Sequence, residues 1–423
     1  MNESVTNKQA VLVGVARSSR ETAACERSLD ELSRLLDTAG GTEAARVLQL
    51  KPSLDPATVI GSGKVAEIAE LCKNAGITLA VFDLELSPSQ IRNLEDAMED
   101  VLVLDRSMLI LDIFALHAVS GEGKLQVELA QLRYTAPRLT GRGRELSRLG
   151  GTIGTRGPGE SKLEEDRRHI RHRIDALSAA LREMEKNRAT MRAARERSGI
   201  PKIAIVGYTN AGKSTLLNRL TDAGVLSEDK LFATLDPTTR KLTLPEGEEV
   251  LLTDTVGLIR GLPHHLVEAF HSTLEEAALA DILWILADYS DAECEEEIAV
   301  TRDTLRSLGA EGKPTLLVYN KCDAASEPVP DPLFVPEDTV YISAKTGEGV
   351  DRLLSLCLRL VREGKRRLLF RIPYNESGVL NALYSAGTVE NVAYEETHIA
   401  VTAVLDRRAE GRFGAYLVGE VTG

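Results

Sequence analysis

Gly207-Tyr208-Thr209-Asn210-Ala211-Gly212-Lys213-Ser214 follows the apolar run Ile203-Ala204-Ile205-Val206 and leads into an amphipathic stretch carrying Thr215, Leu216, Leu217 and Leu220. A strand that turns through a glycine-bounded loop into a helix is the setting of a phosphate-binding loop. The glycines let the backbone curl so that successive N–H groups point inward at phosphate oxygens, and the positive end of the following helix faces the same spot. On this reading Lys213 reaches the β- and γ-phosphates, and the Ser214 hydroxyl is a ligand of Mg2+. A plain glycine turn that opens a helix is the bland alternative, and the downstream motifs decide against it.

Those motifs follow in a fixed order, each at the end of a strand-like run. Asp254-Thr255-Val256-Gly257 closes the run 250–252. An aspartate there holds Mg2+ through water, and the Gly257 N–H senses a γ-phosphate. Asn320-Lys321-Cys322-Asp323 closes the run 315–319. The Asp323 carboxylate can accept two hydrogen bonds from the guanine N1–H and N2–H2, a pair that adenine does not offer. Asn320 can meet the other edge of the base, and the Lys321 stem can cover its face. Ser343-Ala344-Lys345 follows a last strand near 340–342, and the Ala344 N–H is placed to meet guanine O6. Between the first two motifs lies Phe232-Ala233-Thr234-Leu235-Asp236-Pro237-Thr238-Thr239-Arg240. It is polar, Pro-broken and Thr-rich, which suits a mobile loop that lends one Thr hydroxyl to Mg2+ when triphosphate is bound. The residues alone leave Thr234, Thr238 and Thr239 equivalent in that role.

The remainder of the 423 residues divides into pieces around this centre. Residues 1–139 alternate strand-like runs (11–15, 45–50, 79–84, 101–104) with helical patterns (29–36, 65–73, 89–98), the rhythm of a parallel sheet covered by helices. Gly61-Ser62-Gly63-Lys64 within it lacks the gap and terminal hydroxyl of a phosphate loop and reads as a turn. Residues 140–200 begin with a glycine-dense loop carrying Arg142, Arg144, Arg148 and Arg156. They continue as a basic helical stretch with Ile170, Ile174, Leu177, Leu181, Met184 and Met191 at 4-3-4-3 spacing, the seam of a coiled coil or helical hairpin. Residues 201–364 hold the motifs, and 365–423 show strand-like runs at 367–372, 398–404 and 412–418 with a helix at 378–386. The fold class expected is therefore α/β. A central doubly wound, mostly parallel sheet has an N-terminal α/β domain before it and a small α+β domain after it.

Net charge is −13, which by itself disfavours a nucleic-acid partner. Residues 131–197, however, carry 17 Lys/Arg against nine Asp/Glu, a local +8 that leaves −21 on the rest. Such asymmetry points to RNA at the basic segment, whose guanidiniums suit phosphate contacts. No apolar run is long enough to span a bilayer, no secretion signal opens the chain, and five dispersed cysteines read as reduced thiols. A cytoplasmic protein is expected.

The motifs together resemble those of translation-type GTPases. The wording Phe-Ala-Thr-Leu-Asp-Pro-Thr-Thr-Arg with Asp-Thr-Val-Gly is similar to the HflX family, as are Gly61 to Lys64, residues 105–118, 126–138 and 150–160. The resemblance covers the chain to about residue 364. It implies a GTPase that binds the 50S ribosomal subunit, contacts ribosomal RNA and helps to split or rescue stalled ribosomes under stress; a monomer is expected, although nothing in the residues fixes the oligomeric state. By the family pattern Ser214 and Thr234 are the Mg2+ ligands, with Asp254 acting through water. Lys213, Thr234 and Gly257 carry the chemistry. Where Ras-like switches place a water-orienting Gln after the glycine, this chain has Leu258, so slow intrinsic hydrolysis and stimulation by ribosomes are expected. A tRNA-modifying GTPase is a second reading, weakened because no Cys follows Cys357. A GTP-regulated module recruiting a protein or a membrane surface is a third, and peripheral membrane association stays open with it.

Overall fold

The computed structural model describes residues 5–139, 158–196, 200–221, 231–232, 237–260, 271–326, 328–363 and 365–421. These residues fall into two units. The first holds the residues up to Glu183 with Leu231, Phe232, His271 and Ser272, and the second holds the rest.

In the first unit, strands β1 (Gln9–Ala16), β2 (Thr42–Leu50), β3 (Leu79–Phe82) and β4 (Leu102–Asp105) form a parallel sheet in the order β2-β1-β3-β4. Helices α1 (Thr22–Thr38), α2 (Ser62–Ala75) and α3 (Pro88–Ala97) connect them. β1, β3 and β4 follow runs of β-branched and aliphatic residues, β2 at the edge of the sheet is mixed, and β3 is buried along its length, as a central parallel strand must be. Two helices lie beyond the alternation read from sequence, α4 (Arg106–His117) and α5 (Gly121–Thr135). The Asp105 carboxylate caps α4 by accepting the Met108 N–H at 2.9 Å, and Ser120 caps α5 through the Gly123 N–H at 2.8 Å. Helix α4 is apolar on nearly every side, so it carries no helical period to recognise. Arg106 at its start is buried between Glu31 and Asp83, 2.8 Å from the latter.

The basic segment is one uninterrupted helix, α6 (Pro158–Glu196). Leu177 of the predicted seam is buried, and Arg173 reaches Glu128 of α5 at 2.7 Å. Arg142, Arg144, Arg148 and Arg156 lie outside the described residues.

The second unit contains a six-stranded sheet in the order β10-β9-β8-β5-β7-β6. Its strands are β5 (Lys202–Gly207), β6 (Thr238–Thr243), β7 (Glu249–Asp254), β8 (Ile282–Asp288), β9 (Thr315–Asn320) and β10 (Thr339–Tyr341). All pair in parallel except β6, which is antiparallel to β7. Helices α7 (Lys213–Thr221), α8 (His271–Leu279), α9 (Cys294–Ser307) and α10 (Val350–Glu363) accompany it. Trp284 on β8 is wholly buried in the core with Ile203, Leu252 and Leu353. The chain leaves β5 to build β7 on one side and then crosses to β8 on the other. The C-terminal end of β5 is thus the point where strand order reverses, and ligands of such sheets bind there.

Strand β6 corrects the expectation of a loop through Arg240. Thr238, Thr239 and Arg240 are ladder residues, and the Thr239 and Thr253 hydroxyls pair at 2.9 Å. β-Branched residues at the edge of a sheet favour this outcome over a mobile loop.

The C-terminal sheet, β12-β13-β11-β14, is antiparallel throughout. It is built from β11 (Lys365–Pro373), helix α11 (Gly378–Ala386), β12 (Thr388–Tyr394), β13 (His398–Asp406), helix α12 (Arg407–Arg412) and β14 (Leu417–Glu420), a split β-α-β arrangement with its core on Phe370, Leu383 and Val401. The strand expected at 412–418 is displaced. Arg412 ends α12, a 3-10 turn takes Gly414–Tyr416, and pairing with β11 begins only at Leu417.

Candidate nucleotide-binding site

The loop from Gly207 to Ser214 runs off the end of β5, with Gly207 pairing to Leu286 and Lys213 opening α7. Asn210 (φ 63°) and Gly212 (φ 92°) take left-handed backbone, which curls the loop. Gly212 is also a close approach, since a Cβ there would collide with the Asn320 amide.

Lys213 is buried, and its Nζ donates to the carbonyls of Tyr208 (2.7 Å) and Gly207 (3.2 Å). Burial lowers its pKa to about 8, although Asp254 nearby pulls it upward. The Ser214 hydroxyl donates to Asp254 Oδ2 at 2.7 Å, and Asp254 is fully enclosed at the end of β7. These two hard oxygen donors sit where sequence placed a Mg2+ site. Among the described residues no group of three or more His, Cys, Asp or Glu could hold a metal. An ion here would take its other ligands from phosphate and water.

After Asp254 the chain presses onto the loop. Thr255 Oγ1 donates to the Ile205 carbonyl at 2.8 Å, and Val256 is buried. A Cβ at Gly257 would lie 2.7 Å from Thr209 Cγ2 and 2.9 Å from its Cα, so only glycine permits this approach. The Leu258 N–H donates to the Gly207 carbonyl at 3.0 Å, and the Thr209 N–H donates to the Leu258 carbonyl at 2.8 Å. Leu258 is buried.

On the other side, Asn320 is a strut. Its amide donates to the Ala211 carbonyl at 2.8 Å and accepts the Ala344 N–H at 2.8 Å. This modifies two expectations, because the Asn320 amide is engaged within the protein and a guanine O6 would have to share the Ala344 N–H with it. Asp323 Oδ1 accepts the Ser343 hydroxyl at 2.6 Å, and the Lys321 ammonium pairs with Asp288 at 2.7 Å. Lys345 is exposed beside them, and Thr215 is half-buried in the first turn of α7. Ala233, Thr234, Leu235 and Asp236 lie outside the described residues. Phe232 belongs to the first unit, its ring edge-on to Phe114 at 4.7 Å.

Sequence reasoning placed Tyr208 in the phosphate loop but did not anticipate Arg260 or the contact between them. The Tyr208 hydroxyl accepts the Arg260 backbone N–H at 2.8 Å, and the Arg260 guanidinium pairs with Glu293 (3.0 Å) and Glu296 (2.8 Å) of α9. Nothing local in the sequence marks these partners, which come together only through the fold.

Comparisons with known proteins bear on the same residues. A family model described as 50S ribosome-binding GTPase matches residues 202–321, one described as GTP-binding GTPase N-terminal matches 26–115, and one described as GTP-binding GTPase Middle Region matches 117–195. The GTPase HflX of Lacrimispora saccharolytica is 50% identical over 396 residues, covering 94% of this chain and 93% of that protein. That of Caldanaerobacter subterraneus subsp. tengcongensis is 47% identical over 422 residues, with 99% and 96% covered. That of Escherichia coli (strain K12) is 42% identical over 395 residues, with 92% and 91% covered.

Proposed function

The chain belongs to the HflX family of GTPases, and on that footing we propose that it binds the large (50S) ribosomal subunit and couples GTP binding and hydrolysis to splitting or rescue of stalled ribosomes under stress. The observation that carries the nucleotide part is the convergence of Lys213, Ser214, Asp254, Gly257, Asn320 and Asp323 at one edge of one sheet. The ribosomal part is supported by the 50S ribosome-binding family model and by the exposed Arg168, Arg171, Arg173 and Arg182 on α6. Exposed guanidiniums suit RNA phosphates, Arg173 apart, which is paired with Glu128. Arg142, Arg144, Arg148 and Arg156 extend the same reading. No helix among the described residues is long and apolar enough to cross a membrane.

The reaction is attack of water on the γ-phosphoryl group of GTP, releasing GDP and phosphate. Lys213 and the loop N–H groups oppose the charge that builds on the phosphoryl oxygens, and the Gly257 N–H contacts the γ-phosphate. Ser214, with Thr234 and with Asp254 through water, would hold Mg2+, which when bound neutralises phosphate charge. Asp323 selects guanine. Leu258 offers no hydrogen bond to the attacking water, so the isolated protein turns over slowly and a partner completes the site.

GTP turnover measured with and without ribosomes tests this reading, alongside co-sedimentation with a GTP analogue against GDP. Turnover rising at least tenfold with ribosomes, and pelleting that depends on the analogue, are expected. Equal turnover in both conditions would count against it.

A further inference from the structure

The loop from Gly207 to Ser214 is held to the segment after Asp254 by more than its backbone. Gly207 and Thr209 make the two main-chain hydrogen bonds to Leu258 described above, a ladder contact that pairs Tyr208 with Leu258. Between them the Tyr208 side chain, 5% exposed, reaches two residues further and accepts the Arg260 N–H at 2.8 Å. Arg260 is in turn tethered through its guanidinium to Glu293 and Glu296. Glu293, Arg260, Tyr208 and the phosphate loop thus form one chain of contacts. Its effect is to keep Gly257 against the loop, so close that a Cβ there would lie 3.2 Å from Lys213 Nζ. Lys213 is the group expected to meet the γ-phosphate, and these contacts hold Gly257 beside it.

We propose that Tyr208 is a positioning residue, whose hydroxyl latches the Arg260 N–H and biases the site toward triphosphate over diphosphate. The bias arises because only the triphosphate gains the Gly257 contact, and a ligand shifts a two-position element only by its differential affinity. Main-chain motifs contribute the rest of the closure, so the latch tunes the equilibrium and is not its sole determinant. The inference rests on the GTP-binding reading above.

The test uses the full-length protein and titrates a fluorescent GDP and a fluorescent non-hydrolysable GTP analogue into wild type, Tyr208→Phe, Arg260→Ala, Arg260→Lys and the Tyr208→Phe/Arg260→Ala double variant. Tyr208→Phe removes one hydroxyl and leaves the ring. It is expected to weaken the analogue about threefold to tenfold while GDP affinity stays within twofold. Arg260→Ala shifts the ratio in the same direction, Arg260→Lys restores part of it, and the double variant shifts no further than the larger single change. An unchanged ratio, equal weakening of both nucleotides, or additive shifts would overturn the latch. If wild type bound neither nucleotide, the GTP reading itself would fall and the latch with it.

Discussion

Ser343 donates its hydroxyl to Asp323 Oδ1 across 2.6 Å, tying an exposed carboxylate to a fully buried side chain. The same hydroxyl accepts the Thr346 N–H at 3.0 Å, so its direction is fixed from both sides. Preorganising the group that reads the base lowers the cost of ordering it on binding. Ser343→Ala should therefore weaken GDP about threefold to tenfold, the worth of one hydrogen bond, while preference for guanine over adenine persists. Competition titrations with GDP and ADP check both parts.

Lys213 gives the site a pH dependence. Burial sets its pKa at about 8, below the usual 10.5. Between these values the unfolded chain binds more protons than the folded one, so this lysine's contribution to folding stability rises with pH across that window. Bound phosphate supplies counter-charge and favours the ammonium. Above about pH 8 nucleotide binding then takes up a proton, and affinity falls by up to about tenfold per pH unit. Calorimetry in buffers of differing ionisation enthalpy measures the proton directly.

Arg106 lies between Glu31 and Asp83, and all three side chains are at most 10% exposed. Removing the guanidinium takes the positive charge from between two buried carboxylates. Arg106→Met should cost about 3–5 kcal/mol in urea unfolding, and adding Glu31→Gln with Asp83→Asn should recover part of it.

Leu258 occupies the place of a water-orienting glutamine, but its side chain is buried and both its backbone groups are bonded to the loop. Restoring the amide therefore does not restore the function. Leu258→Gln is expected to leave single-turnover hydrolysis within about threefold and to cost about 1–3 kcal/mol of stability by burying a polar group. A tenfold acceleration would contradict this.

The phosphate loop, Asp254, Gly257 and the pair Asn320 and Asp323 were legible because nucleotide chemistry demands particular residue types at short spacings, each at a strand end. The parallel sheets were legible because buried strands read as continuous apolar runs. What stayed hidden was of two kinds. Helix α4 is apolar on nearly every side, so it carries no period, and β6 is an edge strand disguised by its Thr and Arg content. The other kind is long-range pairing. Asn320 meets Ala211 across 109 residues and Arg106 meets Glu31 across 75, and no local pattern announces such contacts.

The central claim is that Asp323 and Lys213 hold opposite ends of one guanosine triphosphate, and exchanging the base reader tests it most directly. Affinities of GDP, ADP and XDP for wild type and Asp323→Asn would be measured in parallel. The account predicts that wild type prefers GDP over ADP by at least about a thousandfold. It also predicts that Asp323→Asn loses GDP by about a hundredfold and gains XDP, whose C2 carbonyl accepts from the new amide. Wild type binding ADP as tightly as GDP, or a variant with unchanged base preference, would contradict it.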